Sequence, residues 1–376
     1  MAEIARLRRY IAILSRGGEY RAASQLLRTL SVADRRAELP ADGVRRARQA
    51  LELARQSGTK REEVHSALLL GSALLSSGDA AGAARAAELA DALAREDGAP
   101  DADAAALSGA AGVAGLLAGM ALRELGRLGE ARDRLDRARK RLVACRQMGG
   151  AALALFELGL LDAASERIDG AVVCFSFAAE FARTGQDLST AARAHAAGLI
   201  VLAGEGRWSD VARLGPDAVA AADAAGEELL SVFALGHLAD GLGHIGSREE
   251  ARRIAADASA RAARLYSDGE GADDLDARRR QTEVIRARHR QAQLAADASE
   301  AAFHVEACFE LCLAAGDEEA ARELVDSMVA EAERGRLFAG IGPLLGSLCG
   351  RFEAAGWGEL AAAAREAATE LADASH

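Results

Sequence analysis

Apolar residues recur along this chain with the period of an α-helix. In the segment SVFALGHLADGLGHIG, residues 231–246, the apolar positions at helical spacing are Val232, Leu235, Leu238, Ala239, Leu242 and Ile245. The N-terminal segment repeats this spacing with Ile4, Leu7, Ile11 and Leu14. The pattern predicts a succession of amphipathic helices.

Composition restricts the fold class further. Alanine, the best helix former, is the most frequent residue, whereas aromatic residues make up 4% of the chain and only four prolines occur. Residues that favour strands are correspondingly scarce. We therefore predict an all-α protein.

A glycine-centred pattern repeats along the 376 residues. Its anchors are at positions 18, 78, 126, 166, 206, 246, 316 and 356, with Glu166 in place of glycine. Four of the seven spacings are 40, and a small residue, alanine or valine, follows each anchor after five positions. Further small residues precede some anchors by seven positions, as at Gly71, Gly119 and Gly159. A fixed period of this length indicates a stacked helical array.

These small residues and turns resemble the tetratricopeptide repeat (TPR) family, with Phe175 as the aromatic of a second helix and Tyr20 and Trp208 near the turns. The closing proline of that family is absent and the period is about 40 residues. The resemblance implies a right-handed superhelical α-solenoid of antiparallel helix pairs. We expect one such array over 1–376, with irregular insertions near 30–60 and 266–298 and a kink or break at Pro216.

The sequence GLGHIG, residues 241–246, also matches the glycine spacing of a dinucleotide-binding loop. That chemistry requires a preceding strand, whereas a helix is predicted here. Gly246 instead fits the end of one helix, and Ser247 with Glu250 fits the capping box of the next. The glycines are therefore interpreted as structural.

No residue cluster predicts catalysis, a metal or a cofactor. His304, Cys308 and Cys312 drift along one helical face and favour packing over zinc binding, and Glu62-x-x-His65 is only half of a di-iron pattern. We predict that the protein is not an enzyme. The five cysteines, an odd number, suit a reducing compartment, and the net charge of −11 argues against nucleic acid as partner. No uncharged run of 18 apolar residues occurs, so we expect no membrane insertion and a cytoplasmic location.

The resemblance implies a concave groove lined by the first helix of each pair. The predicted groove positions are Leu68, Val113, Leu116, Met120, Arg123, Leu153, Phe156, Leu160, Arg193, Ile200, Phe233, Asp240, His244, Phe303, Glu306 and Glu310. The strip is apolar in the middle and acidic toward its end, so it suits a peptide or amphipathic helix with apolar anchors and a basic flank. The other interpretation is that tight coiling or extra helices bury the strip as core. The leading function is a non-catalytic protein-interaction scaffold or adaptor; the alternative is a peptide-responsive regulator that changes shape to control an output partner.

The segment 266–298 contains a second candidate contact. An acidic loop there is followed by a polar helix with the arginines Arg278, Arg279, Arg280, Arg286, Arg288 and Arg290. Such arginines are either solvated and paired with the loop, or they contact an acidic partner or a second copy of the chain. The first interpretation is the commoner one for charged helices.

Overall fold

Every element that the computed structural model describes is an α-helix. The described residues are 2–36, 39–95, 101–267, 282, 284–287, 290, 298–333 and 341–373. In the first half the helices are α1 (Ala2–Arg16), α2 (Tyr20–Arg36), α3 (Pro40–Gln56), α4 (Lys60–Ser76), α5 (Ala80–Arg95), α6 (Asp101–Glu124), α7 (Leu128–Ala144), α8 (Met148–Ala164) and α9 (Ile168–Thr184). They continue as α10 (Leu188–Gly204), α11 (Trp208–Ala225), α12 (Glu228–His244), α13 (Arg248–Ser267), α14 (Ala298–Ala315), α15 (Glu318–Glu333), α16 (Ile341–Ala354) and α17 (Gly358–Asp373). The all-α prediction is confirmed.

Each 40-residue period consists of two similar segments, each made of one helix and one turn. Helices α7 to α10 each have 17 residues and are separated by three-residue turns. One residue of each turn has positive φ, at positions 126, 146, 166, 186, 206, 226 and 246. The turns within pairs and between pairs therefore have the same left-handed residue, and the glycine anchors mark every second one.

The residues that follow the anchors by five positions explain the repeat. All of them are almost completely buried: Ala23, Ala83, Ala131, Ala171, Val211, Ala251, Ala321 and Ala361. The small residues that precede the anchors also lie where helices meet closely, since a Cβ at Gly119 would be 2.5 Å from the Leu135 side chain. Close helix approach therefore selects small side chains at these positions, as predicted.

The chain divides into two compact units, Met1–Ala194 and His195–His376. In the first unit, α2, α4, α6 and α8 pack directly against one another as well as against their neighbours in sequence. Helices α3, α5, α7 and α9 make no comparable contacts with one another within the described residues. We therefore call α2, α4, α6 and α8 the inner layer and α3, α5, α7 and α9 the outer layer of this unit. A single array over the whole chain stays a prediction.

Two expected irregularities look different in the structure. Helix α3, expected as an extra element, packs between α2 and α4 as an ordinary member of the outer layer. The first pair is thus α2 with α3, and α1 precedes it. The expected break at Pro216 does not occur, because α11 continues through this residue, whose side chain is exposed.

One helical stretch, Ala106–Glu124, is long and apolar enough by length and composition to span a membrane. About two thirds of that stretch is buried inside the protein (67%). Its apolar residues belong to the clusters that join α6 to α4, α7 and α8. This burial is typical of a core helix.

Replacing Glu166 by glycine is expected to raise the free energy of unfolding by about 0.5–1 kcal/mol, because a residue with a Cβ is strained in the left-handed region. Glu166 has φ 56°, whereas the corresponding Gly126 and Gly206 have the conformation that glycine adopts freely. Urea denaturation followed by circular dichroism would measure the change. Glu205→Gly, in the following copy but outside the left-handed position, is the matched control and should give no gain.

Candidate functional site

The predicted groove residues of the first unit lie mostly on the inner layer with one side exposed. Six apolar ones are half-buried: Leu68, Val113, Met120, Leu153, Phe156 and Leu160. We call this set the apolar strip. Val113, Met120 and Leu153 pack on the core formed by α6, α7 and α8, and the Phe156 ring centroid is 5.5 Å from that of Phe175. The strip is thus anchored in the core and keeps part of its surface open.

Leu116 differs from the other predicted groove residues of this unit. It is 4% exposed and lies inside the core cluster of α6, α7 and α8. A partner could not contact it without opening that core. Its inclusion in the groove is therefore corrected: Leu116 is a packing residue.

One ion pair stands at the edge of the strip. Arg123 of α6 donates from Nε to Glu157 Oε2 of α8 at 2.8 Å. The Glu157 side chain is 7% exposed, and Arg123 is 31% exposed. Burial raises the pKa of the Glu157 carboxyl, and Arg123 opposes that shift. Arg123 therefore neutralises a buried acid as well as presenting a charge to the surface.

A second charged group occupies the N-terminal end of the inner layer. Glu62 of α4 is 3% exposed and receives a hydrogen bond from Gln25 Nε2 at 3.0 Å. Arg28 lies 2.8 Å from its Oε2 and Arg21 lies 3.5 Å from its Oε1. Burial, followed by the charge of Arg28, lowers the pKa of the nearby His65. Glu62, Gln25, Arg21 and Arg28 thus form a structural polar group, which we call the Glu62 cluster, and His65 lies near it.

The predicted residues of α10 fall on both sides of the division between the units. Arg193 belongs to the first unit and Ile200 to the second, and both are exposed. Arg193 reaches back to Thr190 Oγ1 at 3.2 Å on the same helix. Their membership of a groove stays a prediction.

In the second unit, Asp240 of α12 is already paired within the chain. Arg290 Nε lies 2.9 Å from Asp240 Oδ2, and a Cβ at Gly236 would lie 2.2 Å from the Arg290 guanidinium. The same arginine and Arg286 act on His237, whose pKa burial lowers to about 4. Part of the arginine-rich segment therefore packs on α12, where the absent side chain of Gly236 leaves room for it.

The remaining predicted positions are only partly described. Phe233, half-buried, forms an edge contact with the His237 ring at 4.5 Å, and His244 stacks on Trp208 with centroids 4.0 Å apart. Glu306 is exposed, and Glu310 is ion-paired with Arg351. The Phe303 side chain and the residues Arg278, Arg279, Arg280 and Arg288 lie outside what the structure describes. Of the six arginines, Arg286 is exposed and Arg290 is half-buried.

The metal candidates from the sequence are not assembled into a site. Cys308 and Cys312 are fully buried, and burial raises the pKa of Cys312 to about 12. Both thiols are packed in the core cluster of α14 to α17 with apolar neighbours. Within the described ranges, no three His, Cys, Asp or Glu residues are grouped so as to hold a metal ion.

A polar cavity in the second unit is not predicted by the sequence patterns. A cavity of about 520 Å³ lies between α11, α12 and α13 and is lined by Asp223, Glu227, Glu228, Asp257, Arg261 and Arg264 among others. Arg261 lies 2.7 Å from Asp223 and 2.9 Å from the Ser231 hydroxyl. These residues come from three helices, and only their acidic turn at 227–228 is apparent in the sequence.

Comparisons with known proteins give a fold and no sequence family. No family model matches the chain, and no curated protein matches it. Among solved structures, the apo form of RapI aligns with a TM-score of 0.60 at 9% identity, over 93% of this chain and 97% of that one. Aspartyl phosphate phosphatase F from Bacillus subtilis aligns with 0.51 at 12% identity, over 77% and 71%.

A third structure contains a named repeat domain. It is a signal transduction ATPase with numerous domains (STAND) that has a tetratricopeptide repeat sensor, from Pyrococcus horikoshii. It aligns with a TM-score of 0.53 at 13% identity, over 81% of this chain and 46% of that one. Together with the recurring turns and buried small residues, these alignments show that the chain has the fold of a TPR-like helical solenoid.

Proposed function

We propose that this chain is a non-catalytic, cytoplasmic binding protein whose inner layer in the first unit receives a peptide or a helix of another protein. The observation that carries the proposal is the apolar strip, which is held in place by the core and keeps one side exposed. Partly exposed apolar side chains on neighbouring helices form the kind of surface to which peptides with apolar anchors bind.

The basic flank predicted for the partner has weaker support. It relied on Asp240, Glu306 and Glu310, and of these Asp240 pairs with Arg290 and Glu310 with Arg351. An incoming basic residue would have to displace an existing arginine at both places. We therefore retain the apolar anchors as the core of the proposal.

The experiment is capture of partners from a lysate of the source organism with wild type and a Phe156→Ser, Leu160→Ser double variant. Both residues belong to the strip, and serine removes apolar contact without burying a charge. We expect the captured protein or peptide to be lost, because apolar anchors supply most of the binding energy at such surfaces.

The control is Val173→Ser, Phe177→Ser on α9. These two side chains are 52% and 49% exposed and belong to the outer layer. Circular dichroism verifies that all variants are folded. Capture that survives in the strip variant and is lost in the α9 variant would refute the inner layer as the binding surface.

A peptide-responsive regulator is the second candidate. Among the described residues, three non-glycine residues have positive φ: Arg146, Glu166 and Gln186, one in each of three successive turns. These turns flank α8 and α9, and α8 carries Leu153, Phe156 and Leu160. Backbone strain next to a binding surface is a feature of segments that change conformation. Small-angle scattering with and without a captured peptide distinguishes the candidates, because a scaffold keeps its dimensions and a regulator changes them.

A further inference from the structure

The Glu62 cluster, at the N-terminal end of the inner layer of the first unit, contains more positive than negative groups. Arg21 and Arg28 of α2 both lie within ion-pair distance of the Glu62 carboxylate, and Arg61 directly precedes Glu62 on α4. Two guanidinium groups in contact with one carboxylate give this cluster a net positive charge, although the chain as a whole has a net charge of −11. Burial is the main cause of the lowered pKa of His65; the charges of Arg28 and Arg61 add to this shift, and Glu62 opposes it.

Glu62 holds Arg21 and Arg28 in position but contacts only some of their N–H groups. The carboxylate is 5% exposed in its side chain, whereas Arg21 is 63% and Arg28 is 21% exposed. Each guanidinium has five N–H donors, and the contacts to Glu62 use few of them. Two partly exposed arginines that share one buried acid therefore retain N–H donors with which a second carboxylate can pair, because guanidinium binds carboxylates through parallel hydrogen bonds.

The apolar strip lies next to this charged end. His65 and Leu68 follow Arg61 on the same helix at spacings of four and seven residues, which place the three on one face of α4. The strip then continues on α6 and α8. A peptide that covers the strip and reaches α2 would therefore have apolar side chains over α6 and α8 and its end at the arginines.

From this arrangement we propose that the partner bound by the inner layer is a peptide segment with acidic side chains at one end, which pair with Arg21 and Arg28, followed by apolar anchors. The inference depends on the proposed function and adds the charge of the partner to it. It reverses the basic flank expected from the sequence. The acidic residues supply orientation and specificity, and the apolar residues supply most of the affinity.

The test uses three capped octapeptide pools with the same four apolar positions, drawn from Leu, Ile, Val and Phe. Two adjacent terminal positions are Asp or Glu in the acidic pool, Asn or Gln in the neutral pool, and Lys or Arg in the basic pool. Isothermal titration on the full chain is expected to show the acidic pool binding about tenfold more tightly than the neutral pool, and the basic pool binding more weakly than both.

Three variants examine the arginines. Arg21→Gln and the charge-matched Arg28→Gln, Glu62→Gln double variant should each reduce the tenfold preference to below about threefold. Glu62→Gln alone removes the internal competitor and should tighten binding of the acidic pool. Arg137→Gln is the control, because Arg137 is exposed on the outer layer and bonds only to the backbone of its own helix in the contacts seen.

The outcomes separate the two proposals. Equal binding of the acidic and neutral pools, or a preference that survives in both arginine variants, overturns the acidic-partner inference and leaves the binding function intact. A failure of all three pools to bind wild type, or binding that is unaffected by Phe156→Ser, Leu160→Ser, overturns the proposed function with it. Thermal melting of each variant verifies that the Glu62 cluster has not unfolded.

Discussion

Replacing Gly159 by leucine is expected to lower the free energy of unfolding by about 3 kcal/mol or more, the upper part of the range for overpacked cores. A Cβ at this position would lie 2.6 Å from a ring carbon of Phe175, which is 1% exposed and packs against Phe156. The ring has no free space into which to move. Leucine would therefore force α8 and α9 apart where they now approach most closely.

The Gly159→Ala variant tests whether the gain in helix propensity or the clash with the Phe175 ring has the larger effect on stability. Gly159→Ala gains about 1 kcal/mol of helix propensity, but it still places the Cβ inside the contact distance of the Phe175 ring. We expect a net loss of about 1 kcal/mol because the ring is fixed by the core. Gly129→Leu, on α7 with no atom within 4 Å of its Cβ position, is the control and should not destabilise. Stability of Gly159→Ala equal to or above wild type, measured by urea denaturation, would contradict this account.

The same close contacts explain why the fold could be predicted from the sequence. Gly119 and Gly159 meet Leu135 and Phe175 across a pair of helices, so the spacing of small residues records the distance between helix axes. That spacing is local in sequence and repeats, which makes it visible without an alignment. Only some of the turns could be recognised from the sequence, because Arg146 and Gln186 adopt the left-handed conformation typical of glycine although they are not glycines.

The proposed binding surface could be predicted from the sequence to a smaller extent. The TPR resemblance assigns Val113 and Met120 of α6 to the groove, and both are half-buried, yet it also placed the buried Leu116 there. Whether a residue at the border between two faces of a helix is buried or exposed depends on its packing partners. These partners come from other helices, which a local sequence pattern does not include. The pairing of Asp240 with Arg290 joins residues 50 positions apart, so no local pattern could predict that this acid is neutralised.

Replacing Arg123 by methionine is expected to lower the free energy of unfolding at pH 7 by about 3 kcal/mol, because it leaves a buried carboxylate without its cation. Glu157 is 7% exposed in its side chain, and Arg123 is its only ion-pair partner among the contacts of the described residues. Double replacement by Arg123→Met and Glu157→Gln removes the charge as well, so it should recover most of the loss. The recovery distinguishes an unpaired charge from lost packing of the arginine side chain.

The pH dependence of the free energy of unfolding tests independently whether Arg123 stabilises the fold by neutralising Glu157. Burial already holds the pKa of Glu157 above its ordinary value of 4.5, and removal of Arg123 should raise that pKa further. As the pH falls through the raised pKa, the folded protein takes up a proton that the unfolded chain does not, so the folded state gains stability. The loss in Arg123→Met should thus be largest at neutral pH and shrink as the pH approaches 4.5, whereas the double variant should show no such trend. Urea denaturation at several pH values would measure it, and a loss in Arg123→Met that is constant with pH would show that the arginine acts by packing alone.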